Sequence, residues 1–176
     1  LPGTDPSGAI LLAAHYDSHP TTPGAADDAM GVAAILETVR ALRAGPPLRH
    51  DVHVLFTDAE EVGLLGARAF AADRSRTAPV RAFLNFEARG NAAQVTMFRV
   101  TSPDAAFVSL LDRHVPSAFS TSFAAAVARL LPNDTDFTEF ARAGLIGLDF
   151  ANTGGWSRYH AATDTAADLD RGTLQH

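Results

Sequence analysis

Two apolar runs frame the chain. Residues 9–14 read Ala-Ile-Leu-Leu-Ala-Ala and residues 52–57 read Val-His-Val-Leu-Phe-Thr; each has the length of a buried strand and each stops at a polar cluster. Between them, 31–44 carries Val32, Ile35, Leu36, Val39 and Leu42 at helical spacing and halts at Gly45-Pro46-Pro47, which predicts an amphipathic helix. The pattern continues with a helix over 64–72, a strand over 80–86 running into Glu87 and Gly90, and a strand over 94–100. Helices follow over 104–114 and 122–131, then a short helix over 135–141 leads into the strand 145–150. A closing helix is predicted over 163–174. This alternation predicts an α/β fold with a largely parallel sheet and helices on both faces. In such sheets ligands gather at the carboxyl ends of the strands. His15-Tyr16-Asp17 and Asp58-Ala59-Glu60-Glu61 follow the two runs and so fall at those ends.

With 176 residues, no internal repeat and no low-complexity linker, the chain is expected to be a single domain over 1–176. Pro2-Gly3-Thr4-Asp5-Pro6 reads as a tight connection, so the expectation is a domain truncated at its N-terminus, with an earlier strand missing. Charge and residue usage narrow the chemistry. A net charge of −6 without any dense basic run argues against nucleic acid as a partner. No apolar run reaches the roughly 18 residues of a membrane-spanning helix. The basic residues are all Arg, which together with the Ala-rich composition suggests a GC-rich, bacterial coding source. Without cysteine, thiolate metal sites and cysteine nucleophiles are excluded, so a metal here must be held by His, Asp and Glu.

Amide hydrolysis at neutral pH needs a strong nucleophile and a stabilised oxyanion, and two divalent ions about 3.5–4 Å apart supply both. Such a pair needs a bridging carboxylate. Asp27 in the loop 23–31, where a Gly-containing turn meets two acids and a helix start, is the candidate, with Asp28 the better N-cap. Asp17, two residues beyond His15, is placed to accept the imidazole's other N–H and fix its tautomer. Glu60 and Glu61 are adjacent, so their side chains diverge: one can bind metal while the other takes a proton, with a raised pKa for one of them. Glu87 ends another predicted strand and His160 lies in a loop after the strand 145–150, so both can converge on the same place. Each residue alone has an ordinary reading as a loop histidine, a solvated helix start or a surface carboxylate. His19, His50, His53, His114 and His176 lack carboxylates at useful spacing and receive no role.

Five blocks, His15-Tyr16-Asp17-Ser18, Pro23 to Asp28, Glu60 to Gly66, Asn85-Phe86-Glu87, and Tyr159-His160 with Asp164-Thr165, resemble in order those of the co-catalytic di-zinc aminopeptidases. The likeness covers essentially the whole chain. It extends to the bacterial leucyl aminopeptidases and is nearest the endoplasmic-reticulum metallopeptidase branch, where Glu87 stands in place of the Asp of many members. The resemblance implies a three-layer sandwich around a mostly parallel, mixed central sheet, a zinc-peptidase catalytic domain, and two zinc ions, with other divalent metals possible. It implies that His15 and Glu87 hold one zinc, Glu61 and His160 the other, and Asp27 bridges them. Glu60 is then the general base that takes a proton from a water shared between the metals, and Tyr159 hydrogen-bonds the tetrahedral intermediate. The resemblance further implies a cis peptide at Asp27–Asp28, and an active-site loop at 133–137 in which Asp134 and Asp136 line the substrate pocket.

The implied activity is removal of an N-terminal residue from a peptide substrate. Two alternatives stand beside it: a glutaminyl-cyclase-like acyltransferase working with a single zinc, and a non-catalytic binding domain on a peptidase scaffold. Localisation stays open. An extracytoplasmic or membrane-associated placement, through segments of a larger membrane-attached protein, is the expectation from the branch.

Overall fold

The first apolar run forms the interior of the sheet. In the computed structural model, which describes residues 1–101, 105–115, 119, 120, 126, 130 and 134–176, β1 (Ala9–His15) pairs in parallel with β2 (Asp51–Thr57) on one side and β3 (Val80–Ala88) on the other. β4 (Ala92–Val100) runs antiparallel to β5 (Gly147–Gly154), and β5 is parallel to β3, giving the order β2-β1-β3-β5-β4. The mostly parallel, mixed sheet is thus as expected. Among the described strands only β4 runs against the rest.

Alternation along β1 builds two cores. Leu11 and Ala13 point to one face, where they meet Ala67 of α2 (Leu65–Ala72), Phe83 of β3, and Phe137 and Phe140 of α5 (Asp136–Arg142). Phe83 and Phe140 meet edge to face at 5.3 Å between centroids. Leu12 and Ala14 point to the opposite face, against Ile35, Val32, Val39 and Leu42 of α1 (Ala29–Ala44). Each buried large apolar side chain contributes about 1.5–3 kcal/mol, so both helix layers are held chiefly by these stripes. The short helix α3 (Arg74–Thr77) leads into β3, α4 (Ala105–His114) follows β4, and α6 (Arg171–Gln175) ends the chain.

The path places the site. From β1 the chain crosses through α1 to β2 on one side, then returns through α2 to β3 on the other, so strand order reverses between β1 and β3. The crevice at their carboxyl ends is where this class of sheet binds ligands.

Three elements depart from expectation. α1 begins at Ala29 rather than 31 because Asp28 caps it, its side chain accepting from Gly31 N at 3.2 Å. β5 runs past 150 to Gly154, its register with Glu87 and Ala88 continuing through Ala151 and Asn152. The tail is not a helix over 163–174. Its residues form turns until Asp170, whose side chain accepts from Thr173 N at 2.7 Å and caps a helix of only five residues. Asp164 is buried and spent on another segment's backbone, which takes the start of the expected helix out of play. The helix expected over 122–131 falls largely on residues outside those described.

Candidate metal centre

His15 is the last residue of β1 and is buried. Its Nδ1 lies 2.9 Å from the backbone carbonyl of Asp17, an arrangement in which Nδ1–H donates and Nε2 keeps its lone pair for the crevice. Asp17 was expected to orient this ring through its carboxylate. That carboxylate is 3.5 Å from Nδ1, and it instead accepts the backbone N–H groups of Glu60 at 3.0 Å and Glu61 at 3.2 Å. Asp17 therefore ties the end of β1 to the loop after β2, with its carbonyl on the imidazole and its side chain on the glutamates.

Asp27 stands between two histidines. Its Oδ1 lies 3.1 Å from His15 Nε2 and its Oδ2 lies 3.1 Å from His160 Nε2. The loop reaches this position through Gly24, at φ +70°, where an added Cβ would come within 2.5 Å of the Ser18 Cβ. The Asp27–Asp28 peptide is cis. Glu87, near the end of β3, lies 3.9 Å from His15 Nε2, and Glu61 lies 3.1 Å from His160 Nε2. Two sets of donor atoms, His15 with Asp27 and Glu87, and Asp27 with Glu61 and His160, thus each gather within 4.8 Å and share Asp27.

Burial and mutual charge set the protonation of the cluster. Burial raises Glu87 and Asp28 well above the ordinary carboxylate range. Burial also raises Glu60 to about 7, with the His15 charge opposing and the charges of Asp136, Asp27 and Glu61 reinforcing. For His15 burial works downward, but the Asp27 hydrogen bond and the surrounding carboxylates override it and push the ring up to about 12. A cluster so rich in carboxylates calls for positive charge.

The last loop brings Tyr159 and His160. His160 sits at φ +54°, in the left-handed region that few non-glycine residues occupy. Its ring is held between Tyr159, at 3.8 Å between centroids, and His19, at 4.7 Å. His19, which received no role from sequence, also donates its backbone N–H to Glu61 Oε1 at 3.0 Å. Asp136 is buried beside the cluster, accepting from Thr57 Oγ1, and burial lifts it to about 6. Asp134, expected to line the pocket, makes its contacts elsewhere. It accepts from Thr138 Oγ1 at 2.7 Å and faces Arg99 at 3.5 Å and Arg142 at 4.0 Å, because it stands just outside the first turn of α5 among basic side chains.

Three contributors received no role from the sequence, although Asp164 stood in one of the five blocks. Asp164 accepts the backbone N–H of Ala26 at 2.9 Å and of Asp27 at 3.3 Å, fastening the loop that carries Asp27. Arg89 donates to the Tyr159 hydroxyl oxygen at 2.6 Å. His19 backs His160. Only the block around Asp164 could have been picked out, from its place in the resemblance.

The residues fit zinc. The donors are imidazole nitrogens and carboxylate oxygens, both ordinary zinc ligands. His160 Nε2 is buried without a hydrogen-bond partner although two carboxylates stand 3.1 Å away, the position of a lone pair aimed at a cation.

The model of peptidase family M28 matches residues 1–176. Endoplasmic reticulum metallopeptidase 1 of Rattus norvegicus is 37% identical over 166 residues, covering 90% of this chain, which spans 18% of that protein's length. BSAP, a zinc aminopeptidase from Bacillus subtilis, shares the fold, with a TM-score of 0.72 and 21% identity over 97% of this chain and 43% of its own. A glutaminyl cyclase from an Acidobacteriales bacterium superposes with a TM-score of 0.74 at 25% identity, over 99% of this chain and 66% of its own. The bacterial source read from composition gains no support from the rat relative. Among the described residues no helix is long and apolar enough to cross a membrane.

Proposed function

This chain belongs to peptidase family M28, and so to the metallopeptidases, and on that footing we propose that it is a zinc-dependent aminopeptidase domain acting on the free N-terminus of peptides. The observation that carries the reading is Asp27, each of whose two oxygens lies 3.1 Å from a different histidine. His15 and Glu87 would hold one zinc ion, Glu61 and His160 a second, with Asp27 common to both. Zinc bound there supplies Lewis-acid polarisation of the scissile carbonyl and acidifies water.

The chain's own groups do the rest. Glu60 takes the proton of the attacking water and hands it to the departing amine. A carboxyl lifted to about 7 by burial is suited to hold a proton between those two steps near neutral pH. Asp17 holds Glu60 for this work through the Glu60 backbone. The Tyr159 hydroxyl donates to the oxyanion that develops on the carbonyl oxygen. The surplus of carboxylates favours a cationic amino terminus over a blocked one. Asp136, at the edge of the cluster, would face the substrate pocket. The domain is proposed to extend over 1–176 as the catalytic part of a larger, membrane-attached protein.

The superposed glutaminyl cyclase motivates the competing reading, a single-zinc acyltransferase. Zinc titration of chelator-treated protein decides between them, with hydrolysis of aminoacyl amides measured alongside. About two equivalents bound, with cleavage of free but not N-acetylated substrates, is the expected result. One equivalent, with cyclisation of N-terminal glutamine and no amide cleavage, overturns it. Zinc binding without either reaction supports the binding-domain alternative.

A further inference from the structure

Arg89 lies one residue beyond β3 and two beyond Glu87, with its backbone N–H donated to Asn152 O at 2.9 Å. Among the described residues its guanidinium makes no ion pair, in a neighbourhood crowded with carboxylates. Its hydrogen bond goes instead from Nη1 to the Tyr159 hydroxyl oxygen at 2.6 Å, and its Cζ lies 5.2 Å from the Tyr159 ring centroid. One arginine thus engages both the oxygen and the face of a single phenol. That phenol also stacks on His160, with planes 23° apart.

A tyrosine hydroxyl has one hydrogen to donate, and its oxygen can accept. Arginine has no acceptor, so in this pair the phenol oxygen accepts and its own hydrogen is left over. We infer that Arg89 is the positioning residue for Tyr159: it pins the ring against His160 and leaves the hydroxyl hydrogen as the group presented to the substrate's developing oxyanion. The inference rests on the role proposed above for Tyr159 and adds what makes that role directional. Without Arg89 the phenol can rotate or turn its hydrogen toward a neighbouring carboxylate, and the donor is lost to the reaction though the tyrosine remains. Lysine keeps a charge but not the planar fork that grips oxygen and ring together.

Two readouts test this on the zinc-loaded chain. In kinetics with an aminoacyl amide, Tyr159→Phe lowers kcat by roughly 10²-fold, the scale of losing one oxyanion donor. Arg89→Met lowers kcat by a similar factor with KM within about twofold, and the double variant is no worse than Tyr159→Phe alone. Arg89→Lys recovers part of the loss. The second readout is independent of activity: the chain has two tyrosines, so fluorotyrosine labelling gives two fluorine resonances, assigned with Tyr159→Phe. Arg89→Met should move the Tyr159 resonance toward that of free fluorotyrosine and leave the other in place. An unmoved resonance overturns the inference, as does an unchanged kcat in Arg89→Met or full additivity in the double variant, which would mean that Arg89 acts without Tyr159. If the resonance moves but the parent protein hydrolyses no amide, the positioning contact stands and the proposed activity fails.

Discussion

The carboxylate of Asp164 accepts the backbone N–H of Asp27 across a separation of 137 residues, so the loop after β5 holds the segment that carries the acid facing both histidines. Replacing Asp164 with Ala leaves the N–H groups of Ala26 and Asp27 without their buried acceptor. Each such group costs about 1–3 kcal/mol. We expect a loss of about 2–5 kcal/mol in urea unfolding with chelator present, and a 10–100-fold loss of zinc affinity in competition with a metal indicator. Zinc affinity equal to the parent's would show that the loop keeps its shape without this anchor.

Asp17 acts on the two glutamates through their backbone. Asp17→Ala removes both acceptor contacts from the loop while leaving the Asp17 carbonyl to orient His15. Activity should fall by roughly 10–100-fold, and Asp17→Asn, which retains one acceptor oxygen, should fall less. Equal rates for Ala and Asn variants would contradict a role that depends on the accepted hydrogen bonds.

Glu60→Gln separates proton transfer from metal binding. The amide is nearly isosteric but cannot shuttle a proton, so hydrolysis should drop by about 10²–10⁴-fold while zinc stoichiometry, read by elemental analysis after dialysis, stays at the parent value. A variant that hydrolyses as fast as the parent would remove Glu60 from the mechanism.

Asp136 gives the metal-free fold a pH dependence of known sign. Its pKa rises from an ordinary 3.8 to about 6, burial being the main cause and the Thr57 hydrogen bond opposing it. The fold therefore prefers the neutral acid. That stabilisation is complete below pH 3.8 and is lost as pH rises through about 6, a change on the order of 1–3 kcal/mol. Glu60 and Glu87 add to the same trend at higher pH. Urea unfolding in chelator should show stability declining across this window, and Asp136→Asn should flatten the decline between pH 4 and 6. An unchanged slope would mean that Asp136 is paired in a way that cancels its burial.

The architecture was legible where hydrophobic period and punctuation agreed. β1 is an unbroken apolar run whose alternate residues feed two cores, and α1 ends where Gly45-Pro46-Pro47 stops it. His15 and Glu87 fall at the ends of β1 and β3, so their meeting followed from strand order alone. Period failed at 163–174, where Ala and Leu spacing suggests a helix but Asp164 is taken up by a partner far away in sequence. No local pattern records such a debt. The division of labour within Asp17 was equally hidden, because which oxygen meets the imidazole depends on the turn after β1. Arg89 looked like one of fourteen arginines; only the fold reveals that it meets a phenol 70 positions on.

His15 and His160 are separated by 145 positions, yet both face the same aspartate. A polypeptide that stops just before residue 159 carries His15, Asp27, Glu61 and Glu87 but lacks His160 and the Asp164 that anchors the Asp27 loop. Closing both donor sets therefore requires residues 15 and 160 to be folded against one another, and a polypeptide cut short anywhere between them cannot do it.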